Sequence, residues 1–272
     1  MAKRFGAGSF GSLNRLPPIS VQRPCNPKTQ GELHCWFDQI SAGLPSEVQE
    51  IALRLGPGSP SSPRVIVDIG ANLGAFSFAL CMRIGACDVH AFEAVPRYAK
   101  YISRRFQAWH VHNLALSNRS GVATIYVSRS GNLGWNTLVA SASDDTQDAV
   151  TVPTLRLDSV SNISRLEHVD VIKIDTEGSE HLVLKGARRT IARFARQSCR
   201  PHLLIELGWG RRHPQWPLVR KEIERLFTLG YPRVFYEQEG TTDLYLRGTC
   251  GSSGADPRAW GWRGRVERPA HT

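Results

Sequence analysis

The sequence predicts an α/β protein with a Rossmann-like, doubly wound, mostly parallel sheet and a C-terminal antiparallel hairpin. Three observations carry that reading. Short β-branched runs alternate with amphipathic stretches, which is the pattern of repeated βαβ units. Glycines follow the ends of two of those runs, at Gly70/Gly74 and at Gly178, where a helix then begins. The length of 272 residues, 41% of them apolar, is enough to bury the core such a sheet needs.

The elements follow in chain order. Ser46, Glu47 and the apolar positions Val48, Ile51, Ala52 and Leu55 read as a capped helix ending at Gly56. The breaker cluster at residues 56–63, Gly-Pro-Gly-Ser-Pro-Ser-Ser-Pro, separates this preface from the main domain. Val65–Val67 is the first strand, with a helix from about Gly74; Val89–Phe92 is the second, with a helix from about Pro96. A third run covers Val111–Leu116, followed by the alternating segment Val122–Ser128. Val169–Ile174 precedes a helix after Gly178, and Leu203–Leu207 precedes a helix near Leu218–Leu229. Val234–Tyr236 and Leu244–Leu246 close the chain as the edge hairpin. This divides the chain into a basic, poorly ordered segment 1–44, a main domain 45–247 and a Gly/Arg/Trp-containing tail 248–272.

The net charge of +10 points to a polyanion partner only if it lies on a folded face. It does not: residues 1–31 hold five bases and no acid, residues 247–272 hold five bases and two acids, and the body carries only about +2. The acid-free start has the composition of an organellar transit segment, but its glycines and prolines disfavour an amphipathic helix. Six cysteines without a CxxC pair read as reduced thiols in a cytoplasmic protein, and no apolar run is long enough to span a membrane.

Chemistry is expected beyond the carboxyl ends of the strands. After the first strand, Asp68-Ile-Gly70-Ala71-Asn72-Leu-Gly74 makes a tight turn, and its acid suits a cationic ligand better than a diphosphate. Glu93, 25 residues after Asp68, stands where an acid accepts from ribose hydroxyls. Together they describe a site for an adenosyl group with an amino-acid tail, S-adenosylmethionine. Asp175, Glu177 and Glu180 place three carboxylates within six residues at another strand end, either stabilising a helix N-terminus or converging on a reaction centre.

These segments, with Phe92-Glu-Ala-Val-Pro96, Asn113-Leu-Ala-Leu-Ser117, Val152-Pro-Thr-Leu-Arg-Leu-Asp158, Ile172–Glu180 and Leu184-Lys-Gly186, resemble the successive motifs of the FkbM family of S-adenosylmethionine-dependent methyltransferases. The resemblance covers about residues 64–207, and its one departure is Ala94, where the family usually has proline. It implies a class I methyltransferase fold and O-methylation of a hydroxyl on a sugar or other small metabolite. By position, it implies that Asp68, Gly70, Ala71, Asn72 and Gly74 hold the methionine part of the cofactor, Glu93 the ribose, and Asn113, Ala115 and Leu116 the adenine region. Asp175, Glu177 and Glu180 would line the reaction centre, with Asp175 the first candidate for base or orienter. His112, His181 and Glu206 are secondary candidates, Lys173 a neutralising partner, and no His/Cys spacing marks a metal site. Residues 129–149 read either as a loop covering the acceptor or as a solvated insertion, and residues 208–217 either as a polar-acceptor site or as a packed loop.

Two rival readings remain. A nucleic-acid methyltransferase would use the twelve bases between Lys185 and Arg233, but the strand motif Ile-Asp-Thr-Glu lacks the Pro-Pro-aromatic pattern of exocyclic amine methylation. A non-catalytic S-adenosylmethionine-binding protein would have no need of clustered acids that cost stability.

Overall fold

In the computed structural model, the residues described are 33–35, 37–38, 46–127, 148–196, 199–207, 215–234 and 243–251. The expected preface helix is α1 (Ser46–Leu55), which buries Val48, Ile51 and Leu55 and ends at Gly56 in the left-handed region. Then come β1 (Arg64–Ile69), α2 (Ala75–Ile84), β2 (Cys87–Phe92), α3 (Pro96–Arg105), β3 (His110–His112) and β4 (Ala115–Leu116). The chain continues through β5 (Gly121–Val127), β6 (Asp148–Leu155), a 3-10 turn (Leu157–Ser159), α4 (Ser161–Arg165), β7 (Val171–Ile174), α5 (Glu180–Gly186) and α6 (Arg188–Ala195). It ends with β8 (His202–Glu206), α7 (Trp216–Thr228) and β9 (Asp243–Leu246).

The main sheet has the order β3-β2-β1-β7-β8-β9, parallel except for β9, which runs antiparallel to β8 at the edge. Strand period 2 sends alternate side chains to opposite faces. Along β1, Val65, Val67 and Ile69 join the layer built by α4 to α7, with Ile163, Val183, Phe194 and Ile223. Ile66 joins the opposite layer, where α1 and α2 contribute Ile51, Leu55, Phe76 and Leu80. Covering both faces is what makes the parallel strands nearly continuous apolar runs.

Two features depart from the sequence reading. The run Val111–Leu116 is two strands in two sheets, with β3 parallel to β2 and β4 parallel to β6. The Asn113 side-chain amide turns the chain between them by donating to the carbonyls of Glu93 and Ala94 at 2.9 and 3.0 Å. The second sheet, β4-β6-β5, was not foreseen; its long pairing joins β5 and β6 across residues 128–147, which lie outside the described residues. Of the closing hairpin, β9 forms, Val234 is not in a strand, and residues 235–242 lie outside the described ones. Within the segment expected to be poorly ordered, Leu33 and Phe37 are buried against Tyr98, Tyr101 and Ile125.

The reduced-thiol expectation is overturned. Cys81 pairs with Cys87, Cys199 pairs with Cys250, Cys35 is also disulfide-bonded, and no described cysteine is free. Sequence spacing could not show this because Cys199 and Cys250 are 51 residues apart and meet only when β9 returns beside β8. Alkylation of the native protein under denaturing but non-reducing conditions should therefore leave Cys35, Cys81, Cys87, Cys199 and Cys250 unmodified by mass spectrometry, whereas prior reduction should expose them all.

Candidate active site

At the carboxyl ends of β1, β2 and β7 lies a cleft of about 680 Å3, including its open mouth. Its floor comes from Ile69, Gly70 and Asn72, one wall from Phe92 to Val95, another from Leu114 to Leu116 and Ile125, and its rim from Asp175, Thr176 and Glu177.

The turn after β1 is held closed by its own backbone. Gly70 and Ala71 both donate their N–H to the Phe92 carbonyl, at 2.9 and 3.0 Å. Gly70 has φ of 75°, and a Cβ there would stand 1.7 Å from the Asp175 carbonyl oxygen. No other residue permits this approach of the β1 and β7 loops. Gly74 also has positive φ, and a Cβ would press on Trp109 and Phe106.

The Glu93 carboxylate accepts from the Asn72 N–H through one oxygen and from the Val95 N–H through the other, each at 2.7 Å. Burial pushes its pKa up to about 7, against the pull of those hydrogen bonds and of Lys173. A carboxylate has about four acceptor positions, so two remain for a diol in the cleft.

Beneath the turn, Asp68 is fully buried, accepts from the Ser77 hydroxyl at 2.7 Å, and lies 3.6 Å from the Lys173 ammonium. Lys173 donates to the Gly70 carbonyl at 3.1 Å and pairs with Asp175 at 2.9 Å. Burial opposes its charge, but Asp175 and Asp68 outweigh burial and hold its pKa above the usual lysine value. Lys173 thus ties the glycine turn to the reaction rim.

At that rim, burial works against the Asp175 charge, yet Lys173 and a hydrogen bond with Glu206 hold its carboxyl below the ordinary value. Glu206 is the opposite case: burial, then the Asp175 charge, push it up to about 11, so it is the protonated partner of that hydrogen bond. Glu177 is pushed up to about 8, first by burial and then by the charges of Asp175 and Glu180. Glu177 also holds a left-handed backbone, with φ of 52°. Such strain in a non-glycine residue costs free energy and clusters at functional loops.

The structure divides the sequence-derived residues in two. Gly70, Asn72, Glu93, Ala115, Leu116, Asp175 and Glu177 line the cleft. Asp68, Ala71, Gly74 and Asn113 lie behind it and shape the loops. Glu180 is displaced from the expected reaction centre: it is buried, and its carboxylate accepts from the Thr176 N–H and hydroxyl at 2.8 and 3.0 Å and from the Gly178 N–H at 3.1 Å. The N-terminal turn of α5 thus turns this acid inward as a loop clamp. His112 stacks on Phe92 with ring centroids 4.4 Å apart, and neither it nor buried His181 lines the cleft. Leu114 lines the cleft within the expected adenine segment 113–116, whereas Thr176 and Ile125 were missed, because the alternating apolar pattern does not show which strand ends a separate sheet will cover. Of the expected acceptor segments 129–149 and 208–217, residues 129–147 and 208–214 lie outside the described residues, 148–149 begin β6 and 215–217 lead into α7.

An acidic rim, the buried Glu93 carboxylate and an apolar slot beside the switch point between β1 and β7 are the features of a class I methyltransferase dependent on S-adenosylmethionine. The family model described as "Methyltransferase FkbM domain" matches residues 68–232, and the chain belongs to that family. No curated protein sequence matches the chain. Among solved structures, the SAH-bound methyltransferase PaMTH1 of Podospora anserina is 12% identical, with 84% of this chain and 99% of that one covered and a TM-score of 0.40. The precorrin-6y C5,15-methyltransferase of Geobacter metallireducens is also 12% identical, with 74% and 86% covered and a TM-score of 0.36. The N-terminal domain of human METTL16 is 14% identical, with 80% and 68% covered and a TM-score of 0.33.

Proposed function

We propose that the chain transfers a methyl group to a hydroxyl oxygen of a small metabolite or sugar. The observation that carries this reading is Glu177, a cleft-lining carboxyl with a pKa raised to about 8 beside a charged Asp175. A hydroxyl acceptor must lose a proton as its oxygen becomes an ether, and a base with a pKa near the working pH does this best.

Bound S-adenosylmethionine supplies an already activated methyl, so sulfur leaves as a neutral thioether when the oxygen–carbon bond forms. Glu93 would accept from the ribose hydroxyls, and Leu114, Ala115, Leu116 and Ile125 would flank the adenine. Asp175, kept ionised by Lys173, would favour a positive charge at the rim. Glu177 would take the acceptor proton, and Glu180 would hold the Thr176–Gly178 loop that aims it. Alignment of acceptor, methyl and sulfur is the larger share of such catalysis.

Against the nucleic-acid alternative, at least four of the twelve bases in that stretch pair within the chain. Arg188 pairs with Glu222, Arg193 donates to the carbonyls of Leu166 and Ile163, Arg200 to that of Gly230, and Arg233 to Glu224. No helix among the described residues is long and apolar enough to cross a membrane. The paired cysteines favour an oxidising compartment over the cytoplasm the sequence suggested.

Calorimetric titration tests the cofactor assignment. Wild-type protein should bind S-adenosylmethionine at one site, and Glu93→Ala should weaken binding on the order of tenfold or more, about the worth of hydrogen bonds to a charged group. Equal affinity in the two proteins would refute the role given to Glu93.

A further inference from the structure

We propose that Asp88, His90 and His110 form a binding site for a divalent transition-metal ion, zinc by preference, on the β2–β3 edge of the main sheet. The proposal is independent of the methyl-transfer reading.

The three residues come together through register. Asp88 and His90 are two apart on β2 and so project to one face, and His90 is the direct partner of His110 on β3. The Asp88 Oδ1 atom lies 3.4 Å from His110 Nε2 and 3.7 Å from His90 Nε2, and one ligand atom from each residue falls within 4.8 Å of the others. Tetrahedral zinc, with bonds of about 2.0–2.1 Å to nitrogen and oxygen, sets its ligand atoms about 3.3 Å apart. Small side-chain rotations close the remaining gap.

A second observation points to a ligand. His90 is only 3% exposed, and among the described residues neither of its ring nitrogens has a hydrogen-bond partner. The Asp88 carboxylate at 3.7 Å is too far to serve as one. A buried polar group without a partner is costly and calls for a physical reason. A metal bound through Nε2 would supply one. The rings of His90 and His110 stack with centroids 4.6 Å apart, so shared ligation requires the exposed His110 ring to turn until both Nε2 lone pairs meet at one ion.

The donor set decides the class of ion. Two imidazoles and one carboxylate suit zinc, copper or nickel, whereas magnesium and calcium prefer all-oxygen shells. His110 is 53% exposed and Asp88 30%, so an ion can enter from solvent and keep water in its fourth position. His90 precedes Glu93 by three residues, about 10 Å along an extended strand, which sets this site back from the cleft. Its effect is to fasten the short edge strand β3 to β2.

The test uses the full chain, stripped with a chelator and titrated with Zn2+ against a chromophoric competitor. One equivalent should bind and raise the thermal midpoint, while Mg2+ should do neither. His110→Ala and Asp88→Asn, both at partly exposed positions that folding tolerates, should each weaken zinc binding by at least about a hundredfold, since even outer-shell changes cost about 10–100-fold. His168→Ala, at an exposed histidine beside Asp170, should leave it unchanged. Absence of one-equivalent zinc binding, or binding insensitive to both ligand variants, would overturn the proposal.

Discussion

Replacing Glu177 with glutamine should lower turnover by about a hundred- to ten-thousand-fold, the range of general-base catalysis, while leaving S-adenosylmethionine affinity close to that of the wild type. The substitution keeps size and polarity but removes the proton acceptor at the rim. The pH profile gives the sharper form of this expectation. The active form is the carboxylate, which predominates above the raised pKa of about 8. Wild-type kcat should therefore climb with pH and level off above that value, and the climb should vanish in Glu177→Gln. If Asp175 were the base instead, its lowered pKa would leave the rate flat across neutral pH. Measuring kcat against pH for both proteins with one acceptor separates the two assignments.

Lys173→Met should destabilise the fold by about 3–5 kcal/mol, the usual cost of removing one partner from a buried ion pair. Methionine fills similar volume, so packing loss is small and the effect is electrostatic. It would strand Asp68, which is fully buried, and release Asp175 and the Gly70 carbonyl together. Chemical denaturation should show the loss as a lower midpoint with little change in slope. A variant as stable as the wild type would show that Lys173 does not neutralise Asp68 and Asp175.

The parts of this architecture that were legible in the sequence are local. Hydrophobic runs located β1, β2, β7 and β8, and the cap and breaker residues bounded α1. Glu93 and Asp175 could be placed at the cleft because strand-end position follows from where an apolar run stops. What was illegible depends on long-range geometry. The same composition that marks Asp175, Glu177 and Glu180 as a cluster cannot say that Glu180 turns back onto its own loop, which depends on the left-handed backbone at Glu177 and Gly178. Asp68 reads as a ligand contact, yet Ser77 and Lys173 enclose it below the turn. Glu206 appears in sequence only as one acid at the end of a strand, and it matters because β8 lies beside β7 in register with it. The disulfides and the β4-β6-β5 sheet likewise join distant segments that no spacing rule connects.

Acidic residues thus serve three separate ends within a few ångströms: Asp68 supports the glycine turn, Glu180 clamps a loop, and Asp175 with Glu177 faces the cleft. The charge excess of the chain lies mostly elsewhere, in its terminal segments. This arrangement favours a cationic cofactor over a polyanion at the cleft.

The most direct test is incubation of the protein with isotopically labelled S-adenosylmethionine and a metabolite extract, followed by mass spectrometry to locate the transferred methyl. The label should appear on an oxygen of a small hydroxylated molecule and be absent with Glu177→Gln. Label on nitrogen, on carbon or on nucleic acid would contradict the account.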